Sequence, residues 1–424
     1  MLDTGQKIRN AGCVYQVVRP AGVGGEGYAY EAIDLDRGDQ WLLKRFHDHH
    51  DPQVSVRRTQ YLIDQNLEIR CPLLTPPATL ISPNGSRRWC GYVARYRAGE
   101  PLSDWLAVPE VNFLDNLQLA VALVHGIDTM HQVGLSHGDI HPRNVIVLQI
   151  DDVLVPYWID HDNFNADGIE PSRAWGTLEY IAPEGRLAMV RSEPYPPDIS
   201  ADLFSLTCLL HETLQRRHVA AGHDQDPETF HRTMISGIWM QDPSLGRIDH
   251  ETMGGLSNVV INASIARLFR RGLSLERDAR PSASEWKSAL LQTADQVYHC
   301  PTCGYPNLVD GSKHRCPSCA LPYPVLAIQT PDAGPIVIDQ ATVSVGRNQL
   351  PSPRVSQKHA VLRRIGPETW LDSIGRNGTY RMAHDGSWIR LPDEHRHLVE
   401  AGDRLRFADV EVRIANTTTD GTSA

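Results

Sequence analysis

The sequence predicts a multi-domain chain: a two-lobed α+β unit, a small segment tied together by cysteines, and an all-β sandwich. Three observations carry that expectation. Short β-branched and aromatic runs fill the first ~100 residues and then give way to helical periodicity. Four cysteines stand in two C-x-x-C pairs, Cys300 with Cys303 and Cys316 with Cys319. Beyond them the chain becomes a succession of short alternating runs broken by turn residues, the pattern of a sandwich.

At 424 residues the chain exceeds what one hydrophobic core usually supports, so two or three domains are expected. A hydrophobic fraction of 41% beside 22% charged residues fits an ordinary soluble protein. The formal net charge of −10 argues against nucleic acid or an anionic membrane surface as a partner. No apolar run approaches the ~20 residues of a membrane helix, and the opening MLDTGQKIRNAG lacks the basic-then-apolar pattern of a signal peptide. A cytoplasmic location is therefore expected. Cys13, Cys71, Cys90 and Cys208 are scattered and read as small buried hydrophobes.

In chain order, VYQVV, YAYEAI, WLLKRF and RRWCGYVARY read as strands of a first lobe covering about residues 10–98. After AGEPLSDWL the pattern turns helical, and a second lobe runs over 99–294. In VNFLDNLQLAVALVHGIDTMHQVG, Leu117, Ala120, Val121, Val124 and Ile127 share one helix face and Gly134 closes it. The runs ADLFSLTCLLHETLQ, INASIARLFRRGLS and SASEWKSALLQTADQV continue the helical lobe. Residues 295–325 hold too few apolar side chains for a core of their own. The sandwich is expected over 326–416, with 417–424 as a flexible tail.

The chemistry-bearing residues lie at the lobes' turns and strands. Gly22, Gly24 and Gly27 are spaced G-x-G-x-x-G between two strand-like runs, where backbone N–H groups can close over phosphate oxygens. A hairpin rather than a helix follows, which suits a flap over nucleotide phosphates and not a dinucleotide fold. Lys44 stands on the apolar strand WLLKRF and needs an anion there. In LSHGDIHPRNVIV, Asp139 and Asn144 stand five positions apart on one loop flanked by apolar segments.

That loop resembles the catalytic loop of eukaryotic-like (bacterial) Ser/Thr protein kinases, H-R-D-x-x-x-x-N, here His137, Gly138, Asp139 and Asn144. Further landmarks follow in the family's order. YWIDHDN places Asp160 at the D-F-G aspartate, WGTLEYIAPE ends in Ala182, Pro183 and Glu184, ADLFSLTCLL carries Asp202, and RDARPSASEW offers Arg280 as partner of Glu184. The resemblance spans residues 10 to 294 and implies a bilobal kinase fold. It also implies a proton acceptor at Asp139, Mg²⁺ or Mn²⁺ held by Asn144 and Asp160, and ATP bound beneath the glycine flap with Lys44 on its phosphates. Several positions depart from the pattern. His141 replaces the usual Lys, Gly138 the Arg that would meet an activation-loop phosphate, and His161 and Asp162 the Phe and Gly of D-F-G. For the helix acid that should pair with Lys44, Asp64 and Glu68 are the candidates. These changes leave base and cation ligands in place and bear on rate, so a slow or conditional kinase is expected.

The cysteines read C-x2-C-x12-C-x2-C, the arrangement of a zinc ribbon, in which four thiolates close a structural Zn²⁺ site. Lys313 to Arg315 give thin support for a nucleic-acid role of that segment. The C-terminal run VSVGRNQLPSPRVSQKHAVLRR…TWLDSIGRNGTYRM resembles a forkhead-associated (FHA) domain through Gly346, Arg347, Ser356, His359, Asn377 and Gly378. It implies a phosphothreonine pocket in which Arg347 and Ser356 meet the phosphate and Asn377 the peptide backbone. Lys358 and Arg376 flank the pocket, and His359 acts as a brace. Two readings follow: a Ser/Thr protein kinase whose module binds phosphothreonine on a partner or on itself, or a nucleotide-binding pseudokinase adaptor. The resemblance implies protein substrates and a cognate phosphatase.

Overall fold

The computed structural model describes the chain apart from residues 11, 49, 82–90, 109–112, 172–175, 222–225, 243–260, 295–296, 301, 309–315, 317, 321–324, 331–333, 339–341, 366–367 and 417–424. Cys90, Lys313 to Arg315 and the expected tail 417–424 therefore lie outside the described residues. Two units, Met1–Leu291 and Gln292–Ala424, each hold their own contacts.

The first unit opens with strands β1 (Lys7–Asn10), β2 (Cys13–Val23), β3 (Gly27–Asp34) and β4 (Gln40–Phe46). Helices α1 (Pro52–Asp64) and α2 (Leu67–Arg70) follow, then strands β5 (Pro77–Ile81) and β6 (Gly91–Arg95). The strands form one antiparallel sheet in the order β1-β2-β3-β4-β6-β5. Its inward residues, among them Tyr15, Val17, Tyr30, Leu43 and Val93, make a shared core. Lys44 lies between Leu43 and Arg45 on β4, opposite Tyr92 of β6. Strand alternation should turn Leu43 and Lys44 to opposite faces, and both are buried because the sheet is covered on both sides.

Three short strands, β7 (Glu100–Pro101), β8 (Val145–Ile150) and β9 (Val153–Trp158), pair in sequence at the start of a helical lobe. Helices α3 (Leu102–Ala107) and α4 (Phe113–Gln132) precede β8. After β9 come α5 (Pro183–Arg191), α6 (Ile199–Gln215), α7 (Pro227–Met234), α8 (Ala263–Gly272) and α9 (Ala283–Ala294). Helix α4 buries Leu117, Ala120, Val124 and Ile127 of the predicted face and leaves Val121 half-buried, and Gly134 closes its turn at φ 76°. Asp198 and Asn262 cap α6 and α8 through their side chains, which fixes where each helix begins. Among the described residues no helix is long and apolar enough to cross a membrane.

The second unit begins with the hairpin β10 (Val297–His299) and β11 (Pro306–Leu308). Two antiparallel sheets follow. One runs β13 (Ile336–Val337), β12 (Leu326–Gln329), β21 (Val410–Asn416), β20 (Arg404–Phe407), β17 (Thr379–Met382) and β18 (Trp388–Leu391). The other runs β14 (Thr342–Val345), β15 (Ala360–Ile365), β16 (Glu368–Ser373) and β19 (Arg396–Val399). Inward residues of both, including Ile328, Val345, Leu362, Leu371, Phe407 and Ile414, close a single core. The result is an all-β sandwich.

An ion pair pins the helical lobe. The Arg280 side chain is fully buried, and its guanidinium donates to Glu184 Oε1 at 2.7 Å and Oε2 at 2.8 Å, as the sequence led us to expect. Burial would push the Glu184 carboxyl up, but the Arg280 guanidinium outweighs it and holds it below its usual range. The pair's contribution is thus complete above the unfolded carboxyl's pKa and is lost as pH falls through the depressed folded value. Glu184→Gln should lower stability by about 3 kcal/mol at neutral pH, with a difference from wild type that shrinks in acid. Urea unfolding of the two chains across that pH range measures it.

Candidate active site

The loop after α4 is shaped by Asp202, which is buried at the start of α6. Its carboxylate accepts the backbone N–H of His137 at 2.5 Å and of Gly138 at 2.9 Å, with the His131 ring at 3.1 Å. Two N–H groups on one carboxylate fix the loop's turn. Gly138 adopts φ +78°, and a Cβ there would come within 2.3 Å of the Asn163 carbonyl oxygen. No Arg fits at 138, which accounts for that departure from the family's pattern.

Asp139 and Asn144 meet as the five-residue spacing suggested. The Asn144 amide nitrogen donates to the Asp139 carbonyl at 2.9 Å and stands 3.2 Å from its carboxylate, so its carbonyl oxygen is the end it can offer to a cation. The Thr177 N–H donates to the other Asp139 oxygen at 2.7 Å, and the His141 ring lies 3.5 Å away. Burial alone would raise this carboxyl; His141, the charge of His137 and the Thr177 N–H outweigh it and hold it at about 2. Asp139 is therefore ionised at any physiological pH.

Asp160 follows β9 in the left-handed region, at φ 57° and ψ 63°, a conformation that costs a non-glycine residue energy and that turns its carboxylate toward β4. There Lys44 Nζ lies 2.6 Å from Asp160 Oδ1 and 2.6 Å from Asp162 Oδ2. Burial works to strip the Lys44 charge, yet Asp162, Tyr92 and Asp160 reverse the sign and hold the ammonium well above its ordinary range. Neither acid proposed for helix α1 and its neighbour reaches Lys44. Asp64 is exposed and accepts from Gln60 at 2.7 Å, while Glu68 faces Arg97 at 3.5 Å and Arg95 at 3.8 Å. Helix α1 instead presents Arg58, whose guanidinium donates to the carbonyls of Asp162 at 2.9 Å, Phe164 at 2.5 Å and Glu170. A cavity of about 410 Å³ opens here, with Glu26, Arg58, Asp162 and Phe164 among its walls.

The three flap glycines are not equivalent. A Cβ on Gly27 would collide with the Arg45 carbonyl at 2.2 Å, so that glycine is required by the approach of β3 to β4. At Gly22 and Gly24 a Cβ would meet nothing within 4 Å. The hairpin between β2 and β3 is closed by the Gly24 N–H on the Gly27 carbonyl at 2.9 Å.

In the second unit the sulfurs of Cys300, Cys303, Cys316 and Cys319 all lie within 4.8 Å of one another, with Cys300–Cys319 at 3.6 Å and Cys303–Cys316 at 3.7 Å. A tetrahedral ion with metal–sulfur bonds of about 2.3 Å sets its ligands about 3.8 Å apart, so the cluster fits such an ion. Backbone N–H groups of Cys303 and Thr302 help hold the Cys300 thiol down at about 6, close to the thiolate a metal takes.

At one end of the sandwich the loops carrying Arg347, Ser356, Arg376 and Asn377 are stitched together. The Arg376 N–H donates to Ser356 Oγ at 3.2 Å, Asn377 Nδ2 to the Arg354 carbonyl at 2.7 Å, and the Arg347 guanidinium to the carbonyls of Val355 and Pro353 at 2.9 and 3.1 Å. Lys358 is exposed on the same loop. His359 is fully buried, receives the Ser356 N–H at 3.1 Å and bonds the Gly378 carbonyl at 3.0 Å, which makes it a brace between the two loops.

Sequence reasoning did not single out Arg58, Tyr92, Asn163 and Thr177, which surround the site residues, although Asn163 and Thr177 lie within the runs YWIDHDN and WGTLEYIAPE. An Asp at position 162 where the family has Gly was the one signal available for the Lys44 contact. A family model described as "Protein kinase domain" matches residues 15–290. Serine/threonine-protein kinase PknD of Mycobacterium tuberculosis is 29% identical over 209 residues, 47% of this chain and 29% of its own length. Serine/threonine-protein kinases drp72 of Corynebacterium efficiens is 28% identical over 143 residues, 32% of this chain and 25% of its own. Serine/threonine-protein kinase PKH3 of Eremothecium gossypii is 30% identical over 114 residues, 26% and 15% of the two chains. The chain thus spans less than a third of the length of these relatives.

Because Asp202 is buried and its two oxygens serve backbone donors, Asp202→Asn turns an amide N–H₂ against an N–H. The variant should lose about 2 kcal/mol of stability in urea unfolding.

Proposed function

This chain belongs to the protein kinase family, and on that premise we propose that it is a Ser/Thr protein kinase that transfers the γ-phosphoryl group of ATP to hydroxyls of protein substrates. One observation carries the reading: Lys44, Asp139, Asn144 and Asp160, drawn from three separate segments, converge, with Lys44 and Asp160 in contact across 116 positions. The Ser/Thr class is taken from the bacterial relatives, which are serine/threonine-protein kinases.

Each residue's role follows from its chemistry. Asp139, ionised and held by Thr177 and Asn144, accepts the proton of the attacking hydroxyl. Lys44 orients the phosphates as a fixed point charge beneath the flap of Gly22, Gly24 and Gly27. Asn144 and Asp160 are the oxygen ligands for Mg²⁺ or Mn²⁺, and the cation, when bound, neutralises charge on the phosphate oxygens. With labelled ATP, Mg²⁺ and a generic acceptor, wild type should transfer label, while Asp139→Asn should lose about a hundredfold in rate or more and Asp160→Asn a comparable factor. Equal incorporation in all three chains would leave the pseudokinase adaptor as the better description.

In the second unit we assign the four cysteines a structural Zn²⁺ and the sandwich an FHA-type role. Arg347, Ser356 and Asn377, with Lys358 and Arg376 beside them, would bind a phosphothreonine peptide from a partner or from this chain. The clustering of these residues at one end of the sandwich supports it. Arg347→Ala should weaken retention of a phosphothreonine peptide about tenfold or more, since a charge-assisted hydrogen bond is worth about 1.5–3 kcal/mol; equal retention by wild type and variant removes the assignment. No partner phosphatase is identified by these contacts.

A further inference from the structure

Lys44 faces two carboxylates, and their surroundings differ. The Asp160 side chain is 40% exposed and the Asp162 side chain 7% exposed. Asp160 is the more exposed of the two and the one that can turn to a cation. Asp162 faces inward beside Tyr92 of β6, and Arg58 holds its backbone carbonyl from α1. The Asp162 side chain is nearly buried at the wall of the cavity beside α1, and a buried charge persists only beside an opposite one. Its counter-ion is Lys44.

We infer that Asp162 is the positioning residue of phosphoryl transfer in this chain: its enclosed carboxylate anchors Lys44 in place of an acid from helix α1, leaving Asp160 free for the cation. The inference rests on the kinase reading of Lys44 and Asp160 and adds the residue that orients them. Without Asp162, Lys44 has Asp160 as its remaining carboxylate, so the lysine is misplaced and the cation's ligand is occupied. Control also changes hands. An acid on α1 would couple the lysine to that helix, whereas here α1 acts through Arg58 on the backbone of the segment that carries both aspartates.

The test is steady-state kinetics of the full chain with Mg-ATP and a generic acceptor protein. Asp162→Asn should raise KM for Mg-ATP and lower kcat, with kcat/KM falling about a hundredfold. KM for the acceptor should stay close to wild type, which a general structural role would not allow. Asp162→Glu should recover most of the loss, and Asp64→Asn and Glu68→Gln should match wild type. If Asp162→Asn does not fold, Tyr92→Phe removes only the hydroxyl beside the same carboxylate, and its KM for Mg-ATP should rise about threefold. Wild-type constants in Asp162→Asn, or in Tyr92→Phe where the first variant is unfolded, overturn the inference alone. Absence of Mg-ATP-dependent transfer by wild type overturns the kinase reading beneath it.

Discussion

The first unit depends on one buried cation. Moving an ammonium out of water costs several kcal/mol even after relaxation, and Lys44 on β4 remains charged because two carboxylates stand 2.6 Å from it. The cost dictates the architecture around it. Both carboxylates come from one short segment after β9, so the sheet-rich lobe and the helical lobe must meet there. That segment is itself constrained, with Asp160 in a left-handed conformation and three carbonyls, those of Asp162, Phe164 and Glu170, gripped by Arg58. A site that needs an oriented cation and an oriented anion has both held by one contact.

Asp139 is secured by other means. Asp139 lies on a loop whose backbone is fixed by Asp202 from below and whose carboxylate is fixed by Thr177 from the side. Gly176, at φ +77°, lets that strand of chain pass close: a Cβ there would stand 3.3 Å from the Asp139 carboxylate. Backbone donors of this kind do not reorient when charge moves, so the Asp139 carboxylate is held in one orientation. The same logic recurs in the sandwich, where His359 bridges two loops through backbone atoms and leaves Arg347, Ser356 and Asn377 at the surface.

Local patterns were readable in the sequence, and long-range pairings were readable only where a motif supplied both ends. Hydrophobic periodicity located α4 and its buried face, turn residues located the strand-rich lobe, and two C-x-x-C pairs located a four-sulfur cluster. Glu184 and Arg280 were paired correctly because each belongs to a landmark of the family. The partner of Lys44 was not. Asp64 and Glu68 were considered because spacing put an acid near the expected helix, but spacing says nothing of which way a helix turns its side chains into a neighbouring lobe. Helix α1 buries Ser55, Arg58, Thr59 and Leu62, so its inward face carries a cation and no carboxylate.

Two departures from the family's pattern are linked by packing. Asn163 presses its carbonyl against Gly138 so closely that no side chain fits at 138, and its neighbour Asp162 turns inward to Lys44. A segment docked this tightly on the catalytic loop has no room for an Arg at 138, and an Arg is what would read a phosphate on the activation segment. One short segment thus supplies Lys44 with two carboxylates and, one residue on, closes position 138 to any side chain. Helix α1 reaches the same segment through Arg58, whose guanidinium holds the carbonyls of Asp162 and Phe164, so one arginine ties the helix to the stretch that carries both aspartates.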